Sequence, residues 1–271
     1  MRSLFLLFIL IACVAMLLTK QGHKESASAR IIGGEHASWS RKYPWFVRLN
    51  KVRGASTCGG SLITRDCVLT AAHCIVWGDK VTHVRIGNTE VKKVKKTIVH
   101  PRFDQRHPAT GKLIGDLNDI ALIILESASK NDPVRLDFAK PTQNSEVTII
   151  GKGATQPVMN DLKPFVPPLQ EAHMRVQTNA RQCPLVIGNK INSLLDFVCF
   201  VSDDQSSCYG DSGGPAIQWK NNVPYLIGIT SQGVPGCLKY QNKYSVIYTS
   251  VAHHMDWIRT MVQRHARSAL V

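Results

Sequence analysis

From residue 4 to residue 18 every position is apolar, behind Arg2-Ser3, and from residue 19 to residue 30 polar and charged side chains take over. That layout predicts a secretory signal peptide over residues 1–18 and a short propeptide over residues 19–30. The apolar run is shorter than the roughly 20 residues a spanning helix needs. Its cleavage site is not sharply marked, so an uncleaved anchor is the alternative reading. Beyond residue 30 the pattern changes. Runs such as Trp45-Phe46-Val47-Arg48-Leu49, Val147-Thr148-Ile149-Ile150 and Tyr225-Leu226-Ile227-Gly228-Ile229 are short, rich in β-branched and aromatic residues, and separated by Gly, Pro and Asn. They predict an all-β fold, and roughly 240 mature residues suffice for a large core. Helical period is confined to about residues 251–264, with Met255, Ile258, Met261 and Val262 on one face. The tail, residues 265–271, is expected to fray.

Candidate chemistry centres on Ser212, in Cys208-Tyr209-Gly210-Asp211-Ser212-Gly213-Gly214-Pro215. A serine between glycines can be pressed against a carbonyl, and the neighbouring backbone N–H groups lie open to an oxyanion. It needs a base and a group to orient that base. His73, in Leu69-Thr70-Ala71-Ala72-His73-Cys74, and Asp119, in Leu117-Asn118-Asp119-Ile120-Ala121-Leu122, are polar residues set in apolar runs, where burial demands partners. Asp104 and Asp116 are the nearest rivals for the acid; Asp119 is preferred because it opens the apolar run 120–125. Gly210-x-Ser212-x-Gly214 also spells the nucleophile elbow of α/β-hydrolases. That fold requires serine, acid, histidine in chain order, yet no carboxylate lies between Gly213 and Ala252. It also requires a helix after the serine, where Gly213-Gly214-Pro215 stands instead. The order His73, Asp119, Ser212 is that of the chymotrypsin triad, the standard worked case for this chemistry.

With Ile31-Ile32-Gly33-Gly34, Cys58-Gly59-Gly60-Ser61-Leu62-Ile63 and Trp257-Ile258 added to these words, the chain resembles the trypsin/chymotrypsin-like serine proteases from Ile31 to about Ile258. The resemblance implies two six-stranded antiparallel barrels with a C-terminal helix over residues 31–264, and a catalytic site at their junction. It implies His73, Asp119 and Ser212 as catalytic residues, with the N–H groups of Gly210 and Ser212 as the oxyanion hole. Implied disulfides are Cys58–Cys74, Cys183–Cys199 and Cys208–Cys237. Cys67 is left over, expected as a small buried hydrophobe rather than an intermolecular bridge. An activating protease would cut after Arg30, freeing an Ile31 ammonium to pair with Asp211, so the product is expected as an extracellular zymogen. Protein or peptide substrates and protease inhibitors are the implied partners, with a monomeric state, no cofactor and no nucleic-acid function.

Departures from the family pattern bear on specificity. Where tryptic enzymes carry an acid six residues before the nucleophile, this chain has Ser206. Val246 replaces a usual wall glycine, in a register the loop after Cys237 leaves open, Gly233 keeps the opposite wall small, and Gln232 replaces a usual Trp. Together they predict an apolar residue before the scissile bond. The segment from Gly87 to His100 is short and offers only Glu90 among lysines, so neither calcium nor another metal is expected. Net charge is +14, and removing residues 1–30 leaves 29 cationic against 18 anionic side chains, +11. Lys92, Lys93, Lys95 and Lys96, with Arg48, Lys51 and Arg53, form a candidate patch for anionic polymers. Strand alternation would split such a run. A cationic, noncatalytic binding protein is therefore the alternative function, although known noncatalytic relatives usually lack a triad residue and this chain lacks none.

Overall fold

In the computed structural model the described residues are 31–37, 42–51, 58–77, 79–106, 113–154, 168–179, 183, 196–239 and 242–271. The expected signal peptide, propeptide and Arg30 lie outside them. In chain order the strands are β1 (Glu35–His36), β2 (Phe46–Lys51), β3 (Gly59–Thr64), β4 (Cys67–Thr70), β5 (Val81–Ile86), β6 (Glu90–Val99), β7 (Asp104–Arg106) and β8 (Leu113–Leu117). Then come β9 (Ala121–Leu125), β10 (Arg135–Leu136), β11 (Glu146–Gly151), β12 (Gln170–Gln177), β13 (Phe197–Ser202), β14 (Pro215–Lys220), β15 (Val223–Gly233) and β16 (Tyr244–Ser250). Two helices complete the set, α1 (His73–Val76) and α2 (Met255–His265).

Strands β2-β3-β4-β9-β6-β5 close a first antiparallel barrel. The second runs β12-β11-β14-β15-β16-β13 and is closed by the β12–β13 pairing, with β1 and β10 added at its margins. Two six-stranded barrels and a C-terminal helix thus make up the fold. Strands β3, β4 and β9 are buried at every position, and β9 accordingly reads as a continuous apolar run rather than an alternating one. Closure of each sheet leaves few open edges for aberrant pairing.

Strand β6 alternates only as far as a register shift between Val94 and Lys96, so Lys92 alone of the four lysines is set apart. Lys92 turns back to donate to the Ala128 carbonyl at 2.6 Å and pairs with Glu90 at 3.2 Å. Lys93, Lys95 and Lys96 stay exposed, the last with its Nζ 2.8 Å from His265 Nδ1. Glu90 accepts from Ser129 Oγ, from Lys130 N at 3.1 Å and from Asn131 Nδ2 at 2.7 Å. Arg53 lies outside the described residues, and of Lys51 only the backbone is described.

Two differences from the sequence reading concern the C-terminus. Helix α2 starts at Met255 rather than near Val251, because Ser250 N and Val251 N are still bonded to the Asp196 and Ile227 carbonyls. The tail does not fray either. Arg267 N and Ser268 N donate to the buried Asp66 carboxylate at 2.8 and 3.1 Å, and Ala266 and Leu270 pack on the apolar core that residues of both barrels share. Cys67 is fully buried and the only free cysteine among the described residues. Burial, then the nearby Asp66, raises its thiol pKa, and no partner molecule can reach it in this position. No described helix is long and apolar enough to cross a membrane.

Candidate active site

His73 opens the single-turn helix α1, directly after the buried pair Ala71-Ala72. The Cys58–Cys74 disulfide ties that turn to the start of β3. Asp119 sits just ahead of β9 with no solvent exposure, so its charge must be met by donors. Three meet it: His73 N at 2.9 Å, His73 Nδ1 at 2.7 Å and Ser231 Oγ at 2.7 Å. Thr249 Oγ1 donates to the Asp119 backbone carbonyl at 2.9 Å. Asp119, from the first barrel, is therefore held by the second through β15 at its carboxylate and through β16 at its backbone carbonyl. With Nδ1–H given to Asp119, the His73 ring leaves Nε2 as the basic nitrogen. Trp77 covers that ring with centroids 5.6 Å apart.

Ser212 reaches the same junction from the second barrel. Gly59 N donates to the Ser212 carbonyl at 2.7 Å, and Gly213 N to Thr230 O at 2.8 Å, one residue before Ser231. Gly213 is required twice over: its φ is +74°, and any Cβ would drive into Thr70 Oγ1 and the Gly59 carbonyl. The loop closes through Asp211 N to Cys208 O at 3.0 Å and Gly214 N to Asp211 O at 2.9 Å. The N–H groups of Gly210 and Ser212 are not used in these closures.

Asp211 is 2% exposed. Its Oδ1 accepts from Gly153 N at 2.7 Å and its Oδ2 from Cys208 N at 2.9 Å. A Cβ at Gly153 would collide with that carboxylate. Among the described residues no cation stands beside it, and burial, only partly opposed by backbone donors, pushes its pKa up to about 7.

A comparison with models of known protein families matches residues 31–258 to the family described as Trypsin. The chain belongs to the trypsin family. Its domain is thus that of a serine protease, and the three disulfides, Cys58–Cys74, Cys183–Cys199 and Cys208–Cys237, are present.

Within this trypsin-family domain Ser206 is buried, its Oγ donating to the Ser207 carbonyl at 2.9 Å, and its backbone bridges Ile32 through bonds of 3.0 and 3.1 Å. Val246 of β16 is the cross-strand partner of Gly233 on β15. The pairing sets the register of β15 against β16 at this point. A Cβ on Gly233 would lie 3.7 Å from Val246 Cγ1, so the valine methyl occupies the space facing that glycine. Ile31 is fully buried and packs in the core of the second barrel, with a φ of +85°, an outlier for a β-branched residue. The side chains of Asp104 and Asp116 lie outside the described residues. Ser231 and Thr249 were missed in the sequence, where nothing distinguishes a hydroxyl that supports the acid from any other strand serine or threonine.

Proposed function

We propose that this trypsin-family protein is a secreted serine endopeptidase, made as a zymogen, that hydrolyses peptide bonds after apolar residues through His73, Asp119 and Ser212. The observation that supports this reading is the buried His73–Asp119–Ser231 network, which turns His73 Nδ1 to the acid and leaves Nε2 as the proton acceptor, while the loop bearing Ser212 is tied to the first barrel through Gly59 N. In the reaction Ser212 Oγ attacks the scissile carbonyl while His73 Nε2 takes its proton. Asp119 stabilises the imidazolium, and the N–H groups of Gly210 and Ser212 receive the oxyanion. The tetrahedral adduct collapses as His73 gives the proton to the leaving amine. Water, deprotonated by the same nitrogen, then releases the acyl group and restores the serine.

Ser206 and Val246 support the apolar preference. A substrate Lys or Arg must shed its hydration to enter, and a neutral hydroxyl does not offset that as a carboxylate would. An apolar side chain gains about 25 cal/mol per Å² buried until it meets the valine. Profiling the activated enzyme on a peptide library tests this, with Leu, Met, Val or Ala expected before the scissile bond. Absence of any cleavage would refute the endopeptidase, and dominant Arg or Lys cleavage the pocket. Val246→Gly should raise cleavage after Phe and Tyr by roughly tenfold or more, the scale on which hydrophobic pockets discriminate; no change would remove the valine from the wall.

The exposed Lys93, Lys95 and Lys96 support an added affinity for anionic polymers. Heparin binding should weaken steeply with salt. Replacing these three lysines with Gln should lower the eluting salt concentration while sparing cleavage of short peptides. Unchanged elution would mean that they are an ordinary solvated face.

A further inference from the structure

Behind the catalytic acid a second polar cluster takes no part in the chemistry above. Asp196, just ahead of β13, and His253 and His254, in the turn ahead of α2, bring one ligating atom each within 4.8 Å of one another. His254 is buried and its Nε2 lies 2.5 Å from Asp196 Oδ1. The ring of His253 stands edge-on to it, centroids 4.9 Å apart at 86°. Consecutive side chains usually diverge; here the turn that delays the start of α2 brings both imidazoles to one side. The geometry points to a binding site for a borderline divalent transition ion, Zn2+ foremost, held by Asp196, His253 and His254 with a solvent-facing position left for water.

Donor chemistry and support agree with this. Two imidazole nitrogens and one carboxylate oxygen form a zinc ligand set, with metal–ligand distances of about 2.0–2.2 Å. Ligand atoms of a tetrahedral site then stand roughly 3.4 Å apart, so His254 and Asp196 must separate slightly and His253 must swing in. Since His253 is exposed, it has room to do so. The proton between His254 Nε2 and Asp196 Oδ1 leaves when the ion enters. The other oxygen, Oδ2, is already fixed by Asn118 N at 2.7 Å, the outer support that orients a ligating carboxylate. His100 packs against His254 with ring centroids 5.2 Å apart. Arg102 and Lys140 act electrostatically on His253. The site therefore offers lone pairs rather than a negative field, which selects a strongly coordinating ion over Ca2+ or Mg2+.

Asn118 directly precedes Asp119, so an ion at Asp196 would brace the segment that carries the acid. The inference does not rest on peptidase activity and is best tested without it, on the full-length Ser212→Ala chain titrated calorimetrically with ZnCl2. Saturable uptake of one equivalent is expected, with a rise in melting temperature that CaCl2 and MgCl2 do not give. Asp196→Asn and His253→Ala should each weaken binding by at least about tenfold, the latter at an exposed position where folding is not at stake. His73→Ala should bind like the parent. Absence of saturable uptake, uptake that survives His253→Ala, or uptake lost only with His73→Ala would overturn the site.

Discussion

Ser212→Ala is expected to lower turnover by about six orders of magnitude, the loss seen when one member of a triad that acts as a unit is removed. His73→Ala should cost as much, and the double variant little more, because neither residue accelerates the reaction without the other. Labelling by a serine-directed phosphonylating probe should vanish with Ser212→Ala. Folding should not suffer: Ser212 holds its loop through its backbone carbonyl, which accepts from Gly59 N, and a methyl group keeps that bond. Measurement of kcat/KM beside the thermal midpoint of each variant separates the two effects. A variant retaining a tenth of wild-type activity would refute the assignment.

Cleavage after Arg30 is expected to have the second large effect. In the uncut chain Asp211 is buried without a cation beside it among the described residues, and its pKa stands at about 7 against an ordinary 3.8. Between those values the folded chain binds more protons than the unfolded one, so stability falls as pH rises from about 4 to about 7. The loss is on the order of 4 kcal/mol. A new Ile31 ammonium would pair with the carboxylate and draw its pKa back down. Stabilisation by the cut is then present at neutral and mildly alkaline pH and is lost on acidification, and again once the ammonium deprotonates at higher pH. The melting temperature gained on cutting should accordingly be larger at pH 8 than at pH 4.

Backbone geometry favours the same event. The φ of +85° at Ile31 is a torsion about a residue still joined to Arg30, and strain of this kind costs about 1–3 kcal/mol. Hydrolysis of that bond removes the torsion itself, while the buried Ile31 side chain keeps its place. The uncut protein should be less active than the cut one by at least about 10²–10³, the cost of losing one oxyanion donor. Arg30→Gln should remain inert under trypsin treatment that activates the parent. Asp211→Asn should be cut yet remain poorly active. Full activity of the uncut chain would refute the scheme.

Much of the fold and part of the candidate site were legible in the sequence. β-Strand periods, the glycines around Ser212 and the apolar settings of His73 and Asp119 are local. A backbone that must turn at φ +74° writes Gly213, and a strand buried on both faces writes the run 121–125. What the sequence could not hold was the meeting of distant segments. Ser231 lies 112 positions from the Asp119 it supports, and Arg267 lies 201 positions from Asp66. Neither side chain differs locally from an ordinary surface residue. Pairing of Gly233 with Val246, docking of the tail and convergence of Asp196 with His253 and His254 likewise arise only when two closed barrels fix their registers and pack together. Sequence alone determined which residues are candidates for catalytic chemistry. Tertiary structure decided which hydroxyls hold Asp119, which residue faces Gly233 and which histidines come together, because those are properties of closure and register rather than of neighbours along the chain.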